Sequence, residues 1–69
     1  MKTININDVI QHNGNKGQVI GRVTNISTSS REYGSPFVTI FCVFHTNTKY
    51  IGSYIDYIYS AVLRNWTLA

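Results

Sequence analysis

The sequence predicts an α+β domain: a small antiparallel β-meander of three main strands, the first bent at a glycine, with a short N-terminal helix and a C-terminal helix packed on the sheet. Three observations predict it. The run Pro36-Phe37-Val38-Thr39-Ile40-Phe41-Cys42-Val43-Phe44-His45 is the longest apolar stretch and is dense in β-branched and aromatic residues, the composition of a strand. The connections on either side of it are short and polar, which calls for antiparallel pairing. After Gly52-Ser53, apolar residues recur at helical spacing.

The central run could pack as a helix, but its length and the flanking Gly34-Ser35-Pro36 favour a strand. Strand geometry sends Val38, Ile40, Cys42 and Phe44 one way and Phe37, Phe41 and Val43 the other, so both faces are expected to be covered.

At the N-terminus, Asn5 is placed to cap a short helix, with Asp8 favourable at its third position. Ile6, Val9 and Ile10 then share one face. The competing reading is a strand over residues 3–7, alternating Ile4 and Ile6 with polar residues. Asn13-Gly14-Asn15-Lys16-Gly17 is a loop by composition. The strand expected over residues 18–27 has an imperfect alternation, since Val19 and Val23 share one parity and Ile20 and Ile26 the other. Gly21 lies inside it, where a glycine marks a bulge, a bend or a close backbone approach. Residues 28–35 read as a polar hairpin loop.

Thr46-Asn47-Thr48 is a second turn, and Lys49-Tyr50-Ile51 begins a third strand. Ser53 is then placed to cap a helix over residues 54–66. On it Ile55, Ile58, Val62 and Trp66 form one stripe, edged by Tyr59 and Leu63, and Tyr54, Tyr57, Ala61 and Arg64 form a second. Read as a strand instead, this segment would carry Ile51, Ser53, Ile55, Tyr57 and Tyr59 on one face.

The chain has 69 residues, enough for one domain, and a chain of this length buries only about 60% of the surface it exposes when unfolded. Cys42 is the sole cysteine, so no disulfide within the chain can reinforce the core, and homo-oligomerisation is the expected remedy. Only 13% of residues are charged, against about 25% in an average domain. The net charge is +3, carried by scattered lysines and arginines, which admits nucleic acid or an acidic protein as partner. No signal peptide and no apolar run of membrane-spanning length is read, so a soluble, cytoplasmic protein without a membrane partner is expected. The glycosylation sequons Asn25-Ile26-Ser27 and Asn65-Trp66-Thr67 carry little meaning without export.

No catalytic template is present. Cys42 and His45 invite a nucleophile–base reading, but on one extended strand residues three apart face opposite sides. Asp8, Glu32 and Asp56 are spread along the chain, and no phosphate loop, zinc spacing or nucleophile elbow occurs. The expectation is a non-enzymatic protein with no cofactor and no metal.

The segment Gly17-Gln18-Val19-Ile20-Gly21-Arg22-Val23-Thr24-Asn25-Ile26, followed by a polar loop and Phe37-Val38-Thr39-Ile40-Phe41, resembles the opening of an OB-fold nucleic-acid-binding domain. There, too, a long glycine-bent strand meets an apolar second strand, and a helix follows the third. The resemblance spans residues 17–64 in the order of elements. OB-folds continue with two more strands after the helix, whereas only residues 65–69 remain here. A three-stranded sheet completed by a partner subunit is therefore expected in place of a closed barrel.

The resemblance implies a ligand on the exposed sheet face and adjoining loops, with aromatics stacking bases and basic residues tracking phosphates. Lys16, Arg22, Arg31, Tyr33, Lys49 and Tyr50 are the candidates. A second surface is expected on the C-terminal helix, where Tyr54, Tyr57 and Arg64 would face outward as a protein interface. The sequence thus reads as a small binding module associated with nucleic acid. The alternative is a protein-binding inhibitor or adaptor, of the kind that small phage or mobile-element proteins direct at host machinery.

Overall fold

The computed structural model describes residues 3–15, 17–27 and 36–69. Its centre is the apolar run, which forms strand β3 over Phe37–His45. β3 pairs antiparallel on one side with β2, Gly17–Ser27, and on the other with β4, Tyr54–Ile58. β2 pairs in turn with β1, Val9–Gly14. The chain then makes a short helix α1, Tyr59–Asn65, and ends in β5, Thr67–Leu68, which pairs with the far side of β1. The sheet order is β4-β3-β2-β1-β5. An antiparallel sheet with one C-terminal helix is thus as expected, but five strands replace three.

The N-terminal helix is the first correction. Asn5 and Asp8 bind each other as a cap and its acidic partner would, yet they close a turn: the Asn5 carbonyl accepts from the Asp8 backbone N–H at 3.1 Å, and the Asp8 carboxylate accepts from the Asn5 N–H at 2.9 Å. Asn7 sits at φ 76°, the left-handed conformation that asparagine tolerates and a helix forbids. The turn is tied to β2 from both sides, with Asn7 N–H donating to the Val23 carbonyl and Val23 N–H to the Asp8 carbonyl, each at 2.8 Å. Residues 3–7 do not form a strand either; pairing starts at Val9. At its other end β1 runs on to Gly14, which pairs with Gly17, so ladder replaces part of the expected loop.

The second correction lies at residues 49–66. Lys49 to Ile51 is not a strand: Asn47 caps a 3-10 turn over Thr48–Tyr50, its side chain accepting from the Lys49 N–H at 3.3 Å. Gly52, at φ 86°, then turns the chain into β4 with a conformation costly for any residue bearing a Cβ. The first half of the expected helix is β4. Its Tyr-Ile-Asp-Tyr-Ile sequence favours a strand, and β3 offers it a full unpaired edge, so tertiary pairing overrides the helical spacing. The second half is α1, where Val62 and Trp66 of the expected stripe are buried and Leu63 and Tyr59 pack at their margin. Ile58 of that stripe is exposed.

Between β2 and β3 the register shifts twice. Ile20 pairs with Phe44 and Gly21 with Cys42, which leaves Val43 as an extra residue on β3; Val23 pairs with Ile40 and Asn25 with Thr39, which leaves Thr24 extra on β2. The Thr24 hydroxyl donates to the Thr39 carbonyl at 3.3 Å, so the extra residue is anchored. Each bulge re-phases its strand. Ile26 thereby joins Val19 and Val23 against the core, which resolves the broken parity of β2. Likewise Phe44 leaves the face of Val38, Ile40 and Cys42.

All core strands place the same side inward, and the link from β4 to β5 passes over that side. Ile10, Val23, Val38, Ile40 and Val62 are buried there, with Ile4 and Trp66 closing the ends. The Trp66 ring meets Tyr57 edge-on at 5.1 Å and His12 at 5.6 Å. Gly21 lies over this core so closely that a Cβ would stand 2.1 Å from Ile40 Cγ2 and 3.0 Å from the Phe41 carbonyl oxygen. The other side of β3 is covered only in part: Phe37 and Phe41 are half-buried, while Val43 and Phe44 are exposed.

Candidate nucleic-acid interface

Residues paired directly across neighbouring strands share a face, so the ladder fixes what the open side displays. Val9 pairs with Arg22, Arg22 with Phe41, and Phe41 with Tyr54. This single row crosses four strands and sets one guanidinium between an aliphatic residue and two rings. Phe41 and Tyr54 have their centroids 5.1 Å apart at 60°, a tilted pair that leaves ring surface turned to solvent, and Tyr54 is 67% exposed.

The rows on either side differ in character. Toward one end lie Asn25, Thr39 and Asp56, with Ser27, Phe37 and Ile58 beyond. The Thr39 hydroxyl donates to Asp56 Oδ1 at 2.7 Å, which fixes the carboxylate beside the aromatic pair. Toward the other end lie Gln11, Ile20 and Phe44. The three phenylalanines of the chain therefore all project from β3 onto the open face.

A second aromatic and basic group lies past the end of β3. The Lys49 ammonium sits 5.0 Å from the centre of the Tyr50 ring, which stacks at 4.8 Å on His45. The Asn47 backbone N–H donates to His45 Nδ1 at 2.8 Å, which holds the imidazole in place.

Of the residues picked from the sequence for nucleic acid, Arg22 stands in the central row, while Lys49 and Tyr50 adjoin one another in the separate 3-10 turn. Lys16, Arg31 and Tyr33 lie outside the described residues. The three interface candidates are not brought together. β4 sends Tyr54 to the open face and Tyr57 to the covered one, where it packs against Trp66, and Arg64 is exposed in the last turn of α1. The helical stripe that would have united them is interrupted by the strand. Phe37, Phe41, Phe44, Thr39 and Asp56 went unselected. Phenylalanines at 37 and 41 share a parity, but nothing in the sequence marks the bulge that adds Phe44.

The same bulge corrects the reading of Cys42 and His45, which lie on one face through their pairing with Gly21 and Val19. They do not form a dyad. The Cys42 thiol is fully buried and donates to the Phe44 carbonyl at 3.3 Å, while His45 Nδ1 is taken by Asn47. Burial pushes the Cys42 pKa up, the larger effect, and the Phe44 backbone, which favours the thiolate, opposes it. Burial also raises that of Tyr57, with the nearby Cys42 thiolate charge adding to the effect.

Among the described residues no three His, Cys, Asp or Glu side chains converge as metal ligands. No described helix is long and apolar enough to cross a membrane. Comparison with protein-family models, curated proteins and solved structures finds no match to the chain.

Proposed function

We propose that this protein is a non-enzymatic binding module that holds single-stranded nucleic acid on the open face of its sheet. The observation that carries this reading is the row Val9–Arg22–Phe41–Tyr54. Solvent-facing rings supply sequence-tolerant stacking at about 1–3 kcal/mol per base, and a cation in the same row neutralises phosphate. The glycine-bent β2 and its partner β3, the strands that carry the two central residues of this row, are the part of the chain that resembles an OB-fold opening. The +3 net charge favours such a ligand at long range.

The test is fluorescence anisotropy of labelled single- and double-stranded oligonucleotides at low and physiological salt. Salt-sensitive binding of the single strand is expected. Arg22→Ala should reduce the slope of log affinity against log salt by about 1, the signature of one lost phosphate contact. Absence of binding even at low salt refutes the proposal.

A protein partner is the second reading, and one observation favours it. Tyr59 N–H bonds the Pro36 carbonyl and Cys42 N–H the Ser53 carbonyl, which sets the alternation of the β3–β4 ladder. The peptide groups of Tyr54, Asp56 and Ile58 then point away from β3, along an open edge able to accept an added strand. A second copy paired symmetrically about Asp56 would oppose two carboxylates, which disfavours that register. Sedimentation measures whether the chain self-associates, and Asp56→Pro, which blocks strand addition at this edge, should abolish any dimer formed there.

A further inference from the structure

We infer that Asp56 gives the open face a preference for guanine, so that the bound strand is read as well as held. The inference rests on the nucleic-acid reading of that face. Tyr54 and Asp56 are two residues apart on β4, hence on one side and about 7 Å apart along the strand. A base stacked on the outer ring of Tyr54 presents its edge toward the carboxylate. The Thr39 hydroxyl donates to Oδ1 of that carboxylate at 2.7 Å, which favours one orientation of an otherwise exposed aspartate. A carboxylate oxygen accepts more than one hydrogen bond, so both oxygens remain available to a ligand.

A carboxylate beside a stacking platform is unfavourable for phosphate and favourable for a base edge rich in donors. Arg22 is two strands from Tyr54 in the same row, about 10 Å away. The backbone therefore runs on the Arg22 side and the base edges meet Asp56. Guanine carries two adjacent donors, N1–H and N2–H, that a carboxylate accepts side by side. Adenine and cytosine offer an amino group next to a ring acceptor. Thymine and uracil offer one N–H between two carbonyls, both of which repel the aspartate. Unstacked bases recognised on their Watson–Crick edge are the usual way in which single strands are distinguished.

The experiment uses the full chain and a labelled ten-residue oligo(dT) carrying one central dG, deoxyinosine, dC or dA. The dG strand should bind about tenfold tighter than the unsubstituted strand, in line with about 1–3 kcal/mol for a bidentate contact. Deoxyinosine, which keeps N1–H and lacks the N2 amino group, should fall between them. Asp56→Asn keeps an acceptor for Thr39 and should bring the dG to dT ratio close to one. Thr39→Val should lower the ratio. Arg22→Ala should weaken every strand alike without altering the ratio. Salt-sensitive binding with equal affinity for dG and dT strands, or a ratio that survives Asp56→Asn, overturns the inference and leaves the binding face standing. Failure of every oligonucleotide to bind overturns both.

Discussion

The two sides of the β2–β3 hairpin are built from alternate residues of the same strands, yet they differ in almost every property. On the covered side Val23, Val38 and Cys42 have no exposed surface, and Gly21 is small enough to let Ile40 rest on its backbone. On the open side Arg22 and the half-buried rings of Phe37 and Phe41 stand in rows that continue onto Tyr54 and Asp56 of β4. The covered side follows from packing alone. The open side carries large rings outside the core, and that excess is what the proposed ligand would use.

If this division is right, substitutions should separate cleanly by side. The largest effect is expected from Trp66→Ala, which empties the end of the core between Tyr57 and His12. Such truncations cost about 3–5 kcal/mol, most or all of the stability of a domain this short, so chemical denaturation should find the variant largely unfolded. Gly21→Ala should cost about 1–3 kcal/mol through overpacking against Ile40, read as a lower denaturation midpoint. Phe41→Ala on the open side should lower stability by only about 1 kcal/mol, the worth of an aromatic cross-strand pair, while reducing oligonucleotide affinity about tenfold or more. A Phe41 variant that loses stability like a core mutant and binds normally would erase the distinction.

The smallest effect concerns pH. Cys42 and Tyr57 both have raised pKa values in the folded state because burial disfavours their charged forms. The fold therefore holds these protons more tightly than the unfolded chain does. Its stability is complete at neutral pH and falls as pH rises past the ordinary thiol and phenol ranges. Thermal melts from pH 7 to 11 should show this decline, and Cys42→Val should make it shallower. No change across that range would mean that both groups are solvated.

The strands that bury most side chains were legible in the sequence. β2 and β3 are long, apolar and rich in β-branched residues, and their limits differ from expectation by a residue at most. Shorter elements were not, because one local pattern serves two structures. Asn5 and Asp8 satisfy each other in a helix cap and in the turn found here. Tyr54 to Ile58 alternates as well in a strand as it repeats in a helix, and only the free edge of β3 decides between them. The candidate site suffered most from this ambiguity. Arg22 was found because its strand was found, whereas the aromatic row beside it depends on β4 being a strand and on bulges that cross-strand pairing alone reveals.

Those bulges have a consequence for chain length. Every paired residue of β2 and β3 keeps its partner and its side if Thr24 or Val43 is removed, because Val23 then precedes Asn25, or Cys42 precedes Phe44, in unbroken inside–outside alternation. A one-residue deletion, which reverses all that follows it elsewhere in a strand, would here leave the membership of both faces as it is. The hairpin has two positions where the chain can shorten without rewriting either face, and a relative lacking them would announce its two sides by simple counting.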